Sequence, residues 1–142
     1  MKLAARIVAA AVLAALAWPS EAAWKQLRRD ASAMLSIDPD SIKREGDVAS
    51  LRYLVDFRLA QGDSRLTYRS IVASAKVDCK ARTMALLHTD AYARYGGQGI
   101  IVAKTKLTPR ESEFKPLTSG TSDEDLWKFV CEGKAPAPPP KK

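Results

Sequence analysis

His88, Asp90 and Tyr92 stand two residues apart, so an extended backbone puts an imidazole, a carboxylate and a phenol on one face. This is the best constellation for acid–base or nucleophilic catalysis that the chain offers. It lacks the other parts such chemistry needs. His88 is the single histidine, no serine sits in a nucleophile-elbow context, and neither cysteine is expected to be free. A lone histidine in a strand is more often a structural or surface residue. The sequence therefore predicts no enzyme, no catalytic residue, no metal site and no cofactor. Gly96-Gly97-Gln98-Gly99 lacks the Lys-Ser/Thr ending and following helix of a phosphate loop, and reads instead as a tight turn.

The other chemistry-bearing residues point to holding and binding. Cys79 and Cys131 are the whole thiol complement, too few for a four-cysteine zinc site. Between Arg65 and Arg82 stand five cations, Arg65, Arg69, Lys76, Lys80 and Arg82, against the single acid Asp78. Such clustering suits an anionic partner: a heparin-like glycan, a lipid head group, a cell-wall polymer or an acidic protein. The bland alternative is a solvated strand whose cations deter edge pairing.

An address segment decides how the cysteines read. Lys2 and Arg6 precede an uncharged run, Ile7 to Trp18, of 12 residues. That is short of the roughly 20 a membrane-spanning helix needs. Pro19 breaks the run, and Ser20-Glu21-Ala22 offers small residues at a cleavage site. Residues 1–22 are read as a secretory signal peptide, cleaved after Ala22, with Ala17 as the alternative. Export to the periplasm, the cell surface or the medium follows. In an oxidising compartment an even pair of cysteines is expected to form a disulfide. A redox-active pair would favour close spacing, and this pair is 52 residues apart. Nucleic acid is a poor partner for an exported chain whose basic stretch lacks interleaved aromatics.

The elements that must position these residues are mostly strands. Leu51, Tyr53, Val55, Phe57 and Leu59 alternate with Arg52, Leu54, Asp56 and Arg58, the period of a half-buried strand. Gln61-Gly62-Asp63-Ser64 has hairpin-loop composition. Leu66 to Cys79 forms the next strand, with Ile71, Ala73, Ala75, Val77 and Cys79 on one face and a bulge expected near Arg69. Arg82 to Tyr95 is read as a strand in which Met84, Leu86, His88, Asp90 and Tyr92 share a face. Ile100 to Lys106 is a short strand. Thr121-Ser122-Asp123-Glu124-Asp125 starts a helix with overlapping capping boxes, Leu126, Phe129 and Val130 line its apolar side, and Gly133 suits its end. Residues 134–142 hold four prolines and three lysines and are expected to be a disordered tail. Its final Lys141 and Lys142 are the kind of end group that lysine-binding modules capture.

The order of these motifs carries a resemblance. Ser36-Ile37-Asp38-Pro39-Asp40-Ser41-Ile42-Lys43-Arg44-Glu45-Gly46-Asp47 precedes the charged alternating strand, and Val77-Asp78-Cys79 closes a strand holding Tyr68 and Ser70. Tyr92 precedes the glycine turn, Phe114-Lys115-Pro116-Leu117 precedes a Ser/Gly/Thr cluster, and the capped helix ends in Val130-Cys131. From Trp24 to Cys131 the chain resembles the surface-adhesin protein E-like domain, a family of small exported bacterial proteins. The resemblance implies a mainly β, α+β fold: an antiparallel sheet of about six strands with a C-terminal helix tethered to one face by the cysteine pair. It makes Trp24–Leu27 and Ala33–Ile37 short strands, where local composition alone would also allow a helix through Trp24, Leu27 and Ala31. Asp38-Pro39-Asp40-Ser41 reads as a turn. Phe114 stands where the family pattern favours Trp.

The family takes its name from a member that binds host extracellular proteins, and no short motif here carries that activity over. The expected organisation is a signal peptide at 1–22, the binding domain at 23–133 and the tail at 134–142. The expected function is non-enzymatic binding at the envelope or cell surface, to a host matrix protein or an anionic polymer. The alternative is an accessory envelope protein with no adhesive role. The formal charge of +7 says less than it first suggests, because three of those charges belong to the lysines of the tail.

Overall fold

The computed structural model describes residues 23–134. The proposed signal peptide, and the tail beyond Lys134, lie outside the described residues. Five long or medium strands form a continuous antiparallel meander: β1 (Lys25–Arg29), β2 (Ala33–Glu45), β3 (Val48–Gly62), β4 (Thr67–Asp78) and β5 (Thr83–Tyr92). β6 (Ile101–Lys106) pairs with the later half of β5, and the two-residue β7 (Lys115–Pro116) pairs with its start. The sheet thus has the expected six strands in its main path and a seventh of two residues beside β5. The N-terminal stretch is strand and not helix, because Lys25 to Arg29 pairs with β2 as an edge.

Aspartates shape three of the hairpins. Asp30, Asp63 and Asp78 each accept two backbone N–H bonds from residues just ahead, at 2.8–3.1 Å, closing the turns after β1, β3 and β4. Asp30 also accepts from the Ser32 hydroxyl at 2.7 Å. The hydroxyl and the two amides hold its pKa at about 2, below the ordinary 3.8. A carboxylate depressed in the folded state stabilises fully above about pH 4 and loses that contribution as pH falls through about 2. In Asp30→Asn, urea titrations should therefore show a smaller loss of stability between pH 6 and pH 2 than the parent shows. With the side chain half exposed, the change is modest.

One face of the sheet makes the core. Leu35, Ile37, Leu51, Ala75, Val77 and Met84 pack there against Leu126 and Trp127 of the helix α1 (Ser122–Trp127). Thr121 caps α1, its hydroxyl accepting the Glu124 N–H at 3.4 Å. The Glu124 carboxylate reaches back to the Gly120 N–H at 2.8 Å, one residue earlier than a standard capping box. The chain continues as a π-helical turn, Lys128–Glu132, and stops at Gly133, which is left-handed at φ 67°. Cys131 in that turn is bonded to Cys79 just beyond β4, with 5.5 Å between Cα atoms. The Trp127 indole adds a bond to the Asp78 carbonyl at 3.1 Å.

Several expectations need correction. Asp38-Pro39-Asp40-Ser41 is not a turn that ends a strand. β2 runs through it, and between Asp38↔Arg52 and Lys43↔Ser50 it takes five steps where β3 takes two. Ser41 holds this bulge, donating to the Asp38 carbonyl at 2.6 Å and accepting the Arg52 N–H at 2.8 Å. Pro39, without an N–H, is tolerated in such an interruption. The bulge expected near Arg69 lies across from it, on β3. There Asp56↔Ser70 and Gln61↔Tyr68 leave five steps against two, and Leu59, expected inside, is carried out to 73% exposure. On β5, Leu87 is an extra residue between Leu86↔Ala75 and His88↔Ser74. Met84 and Leu86 therefore face the helix while His88, Asp90 and Tyr92 face the opposite side. Phe114 is 43% exposed and is no core aromatic.

Candidate functional site

The face opposite the helix carries the exposed charge. Cross-strand pairing sets Asp38, Arg52, Ser74, His88 and Lys106 in one row over five strands. A parallel row runs Ser36, Leu54, Val72, Asp90 and Lys104, and a third holds Lys43, Ser50, Lys76 and Ala85. Alternation along each strand keeps all of these on the open side. Arg52, Lys43, Lys76, Lys104 and Lys106 are exposed. Arg52 is partly neutralised by Asp38 at 3.8 Å and lies 5.9 Å from the Trp24 ring. No acid lies within ion-pair distance of Lys43, Lys76, Lys104 or Lys106 among the described residues. With strands about 4.8 Å apart, Lys76 and Lys106 project from backbone points about 12 Å apart. That is near one Debye length, so the potentials of these lysines add. A furrow of about 450 Å³ runs beside Lys43 and Arg52, above Ser50 and Ser74.

The residues expected to form a basic patch do not converge. Lys76 alone joins the open-face group. Arg65 lies in the β3–β4 hairpin and Lys80 in the β4–β5 turn, at opposite ends of β4, about 35 Å or more apart at the usual rise per residue. Arg69 is seven positions from Lys76, toward the far end of β4, and is engaged by the glycine turn, donating to the Tyr95 hydroxyl at 2.9 Å. Arg82 lies over the Trp127 ring at 4.6 Å and pairs with Glu124 at 3.4 Å, a structural post. Cys79 and Cys131 are paired and serve the helix. The sequence reading missed Lys43, Arg52, Lys104 and Lys106. Lys104 and Lys106 were legible as alternating members of Ile100–Lys106, but only the pairing of β6 with β5 places them beside Lys76's face.

His88 and Asp90 do meet, Nε2 to Oδ1 at 2.7 Å, with Ser74 as the cross-strand neighbour of His88. Interior strands spend their N–H groups on the ladder, so this flat surface offers no converging backbone donors for a developing oxyanion. Tyr92 lies two residues farther, beside Ser70 and Ile101. Among the described residues no group of three or more His, Cys, Asp or Glu stands close enough to hold a metal, and no helix is long and apolar enough to cross a membrane.

The glycine turn closes one end of the open face. Tyr95–Gly97 forms a short 3₁₀ turn that folds onto Leu54 and Val72. Its amides are anchored: Gly96 N–H donates to Asp56 at 2.7 Å and Gly97 N–H to the buried Ser70 hydroxyl at 3.0 Å, while that hydroxyl donates to the Arg94 carbonyl at 2.6 Å. Gly97 has φ 69°, and a Cβ there would lie 2.7 Å from Val72 Cγ2. Gly97→Ala should cost roughly 1–3 kcal/mol, measured by urea unfolding, from left-handed strain and overpacking together.

Against known proteins, the family model for surface-adhesin protein E matches residues 24–132. A search of the curated proteins finds no match. Among solved structures, Haemophilus influenzae protein E aligns with a TM-score of 0.58 at 16% identity, covering 78% of this chain and 84% of that one. Crystal form II of the same protein gives 0.56 at 15% identity, with 75% and 92% covered. Protein E from non-typeable Haemophilus influenzae gives 0.54 at 18% identity, with 75% of each chain covered. At such identities the structural likeness establishes the fold.

Proposed function

The chain belongs to the surface-adhesin protein E family, and from that premise we propose that it is a non-enzymatic binding protein of the envelope or cell surface whose open sheet face takes an anionic partner. The observation that carries this reading is the set of four lysines on that face, Lys43, Lys76, Lys104 and Lys106, with no acid in ion-pair reach among the described residues. Ammonium groups spread over several strands suit an extended polyanion, a sulfated glycan, an anionic cell-wall polymer or an acidic stretch of a matrix protein, better than a small enclosed substrate.

The His88–Asp90 pair sits inside this field as part of the surface. Its flat setting, with the neighbouring ladder amides already bonded, supports binding over turnover. Export to the periplasm or the outer surface accords with the family and with the disulfide.

The test is retention of the chain lacking residues 1–22 on immobilised heparin and on a neutral dextran, followed as salt rises. Retention on heparin alone, weakening steadily between about 0.05 and 0.5 M salt, is expected as screening shortens to a few ångströms. Retention no greater than that of an unrelated protein of equal net charge would reject the reading.

A further inference from the structure

A second site lies beside the glycine turn, away from the four lysines. A cleft of about 580 Å³ is bounded by Arg29 and Asp30 of the β1 side, Ala33 and Met34 of β2, Asp56, Phe57 and Arg58 of β3, and Tyr95. Pairing explains its shape. Arg29 lies opposite Met34, and Met34 opposite Asp56, while the Arg58 N–H bonds to the Ser32 carbonyl at 2.8 Å. Arg29 and Arg58 therefore rise from strands on either side of β2, about 10 Å apart at the backbone. The Tyr95 ring, 48% exposed, is fixed above β3 by its hydroxyl, which bonds to the Arg58 carbonyl at 3.4 Å and accepts from Arg69 at 2.9 Å.

The unmet bonding capacity of this cleft is of one kind. Asp30 already accepts from three donors, with Arg28 at 3.9 Å, and Asp56 accepts the Gly96 amide. The guanidiniums of Arg29 and Arg58 have no hydrogen-bond or ion-pair partner among the described residues. Between them lie the thioether of Met34 and the ring of Tyr95, apolar surface at the bottom of a charged rim. Planar donors on two sides of an apolar floor match a carboxylate attached to an apolar body.

We infer that this cleft binds an apolar carboxylate, its oxygens held between Arg29 and Arg58 and its body against Met34 and Tyr95. The chemistry fits a free aliphatic acid or the C-terminal residue of a peptide. The site is independent of the open-face reading, since it uses none of the four lysines.

The test is amide-resolved NMR titration of the full domain with octanoate and with an N-acetylated tetrapeptide ending in leucine, each beside its carboxamide. Shifts confined to Met34, Arg58, Tyr95 and Gly96 are expected with the acids, at least tenfold weaker with the carboxamides and with Arg29→Gln/Arg58→Gln. Tighter binding of octanoate would identify a free acid as the ligand, and tighter binding of the peptide a chain end. Met34→Leu, which keeps the apolar floor, should retain binding. The inference is overturned if neither acid shifts these amides, if carboxamides bind as well as acids, or if the double variant, shown folded by an unchanged spectrum elsewhere, binds undiminished.

Discussion

Replacing Cys79 and Cys131 together by serine should destabilise the domain by about 2–4 kcal/mol. For a domain of this size that lowers the melting temperature by on the order of 15 °C. Two effects act together. The bond closes a span of 52 residues, for which the chain-entropy relation gives about 4 kcal/mol in the unfolded state. It also fastens a helix of only six residues and its π turn, which is too short to persist by itself. Differential scanning calorimetry of the double variant, against the parent with and without reductant, measures the effect. The parent in reductant should melt with the variant. The helix should also loosen before the sheet, seen as faster hydrogen exchange at Leu126 and Trp127 than at Val77.

Leu126→Ala should cost about 3–5 kcal/mol in urea unfolding. Leu126 is fully buried, and it stands among Leu27, Leu35, Ile37, Leu51 and Val77 where the helix meets the sheet. The strands around it are tied by continuous ladders, so they cannot move in to fill the space. The cavity term therefore adds nearly in full to the lost transfer energy. A marginal domain has about 5–15 kcal/mol in all, so this variant should unfold near body temperature if combined with loss of the disulfide. The change leaves the open face untouched, so binding of the folded variant in the cold should match the parent.

Much of the frame was legible before any coordinates. Leu51 to Asp56 and Ala73 to Val77 alternate because one side is dry and the other wet, and the helix start at Thr121 announced itself through its capping hydroxyl. What was not legible shares one cause: inserted residues reset the pleat without altering composition. The extra Leu87 turns His88 and Asp90 away from Met84's face, and the looped residues after Asp56 carry Leu59 into water. The same blindness misplaced the basic site. Five cations close in sequence are spread along a strand and the turns at its two ends, which lie several screening lengths apart. Lys43, Lys76, Lys104 and Lys106 come from three strands, β2, β4 and β6, and meet only through register. Asp63 was legible within its hairpin loop, but the turn roles of Asp30 and Asp78 were passed over, although aspartate is a recognised turn former.

The central claim is that a particular face, and not net charge, recruits an anionic partner. Two variants of equal charge separate these. One carries Lys76→Glu, Lys104→Glu and Lys106→Glu on the open face. The other carries Arg65→Glu, Arg110→Glu and Lys115→Glu, all exposed and away from it. Both should fold with little change in stability, since exposed charges contribute little. The measurement is the heparin dissociation constant of each at about 0.1 M salt. The account predicts at least tenfold weaker binding for the open-face variant and no more than about twofold for the other. Equal weakening of the two, or a larger loss in the second, would contradict it.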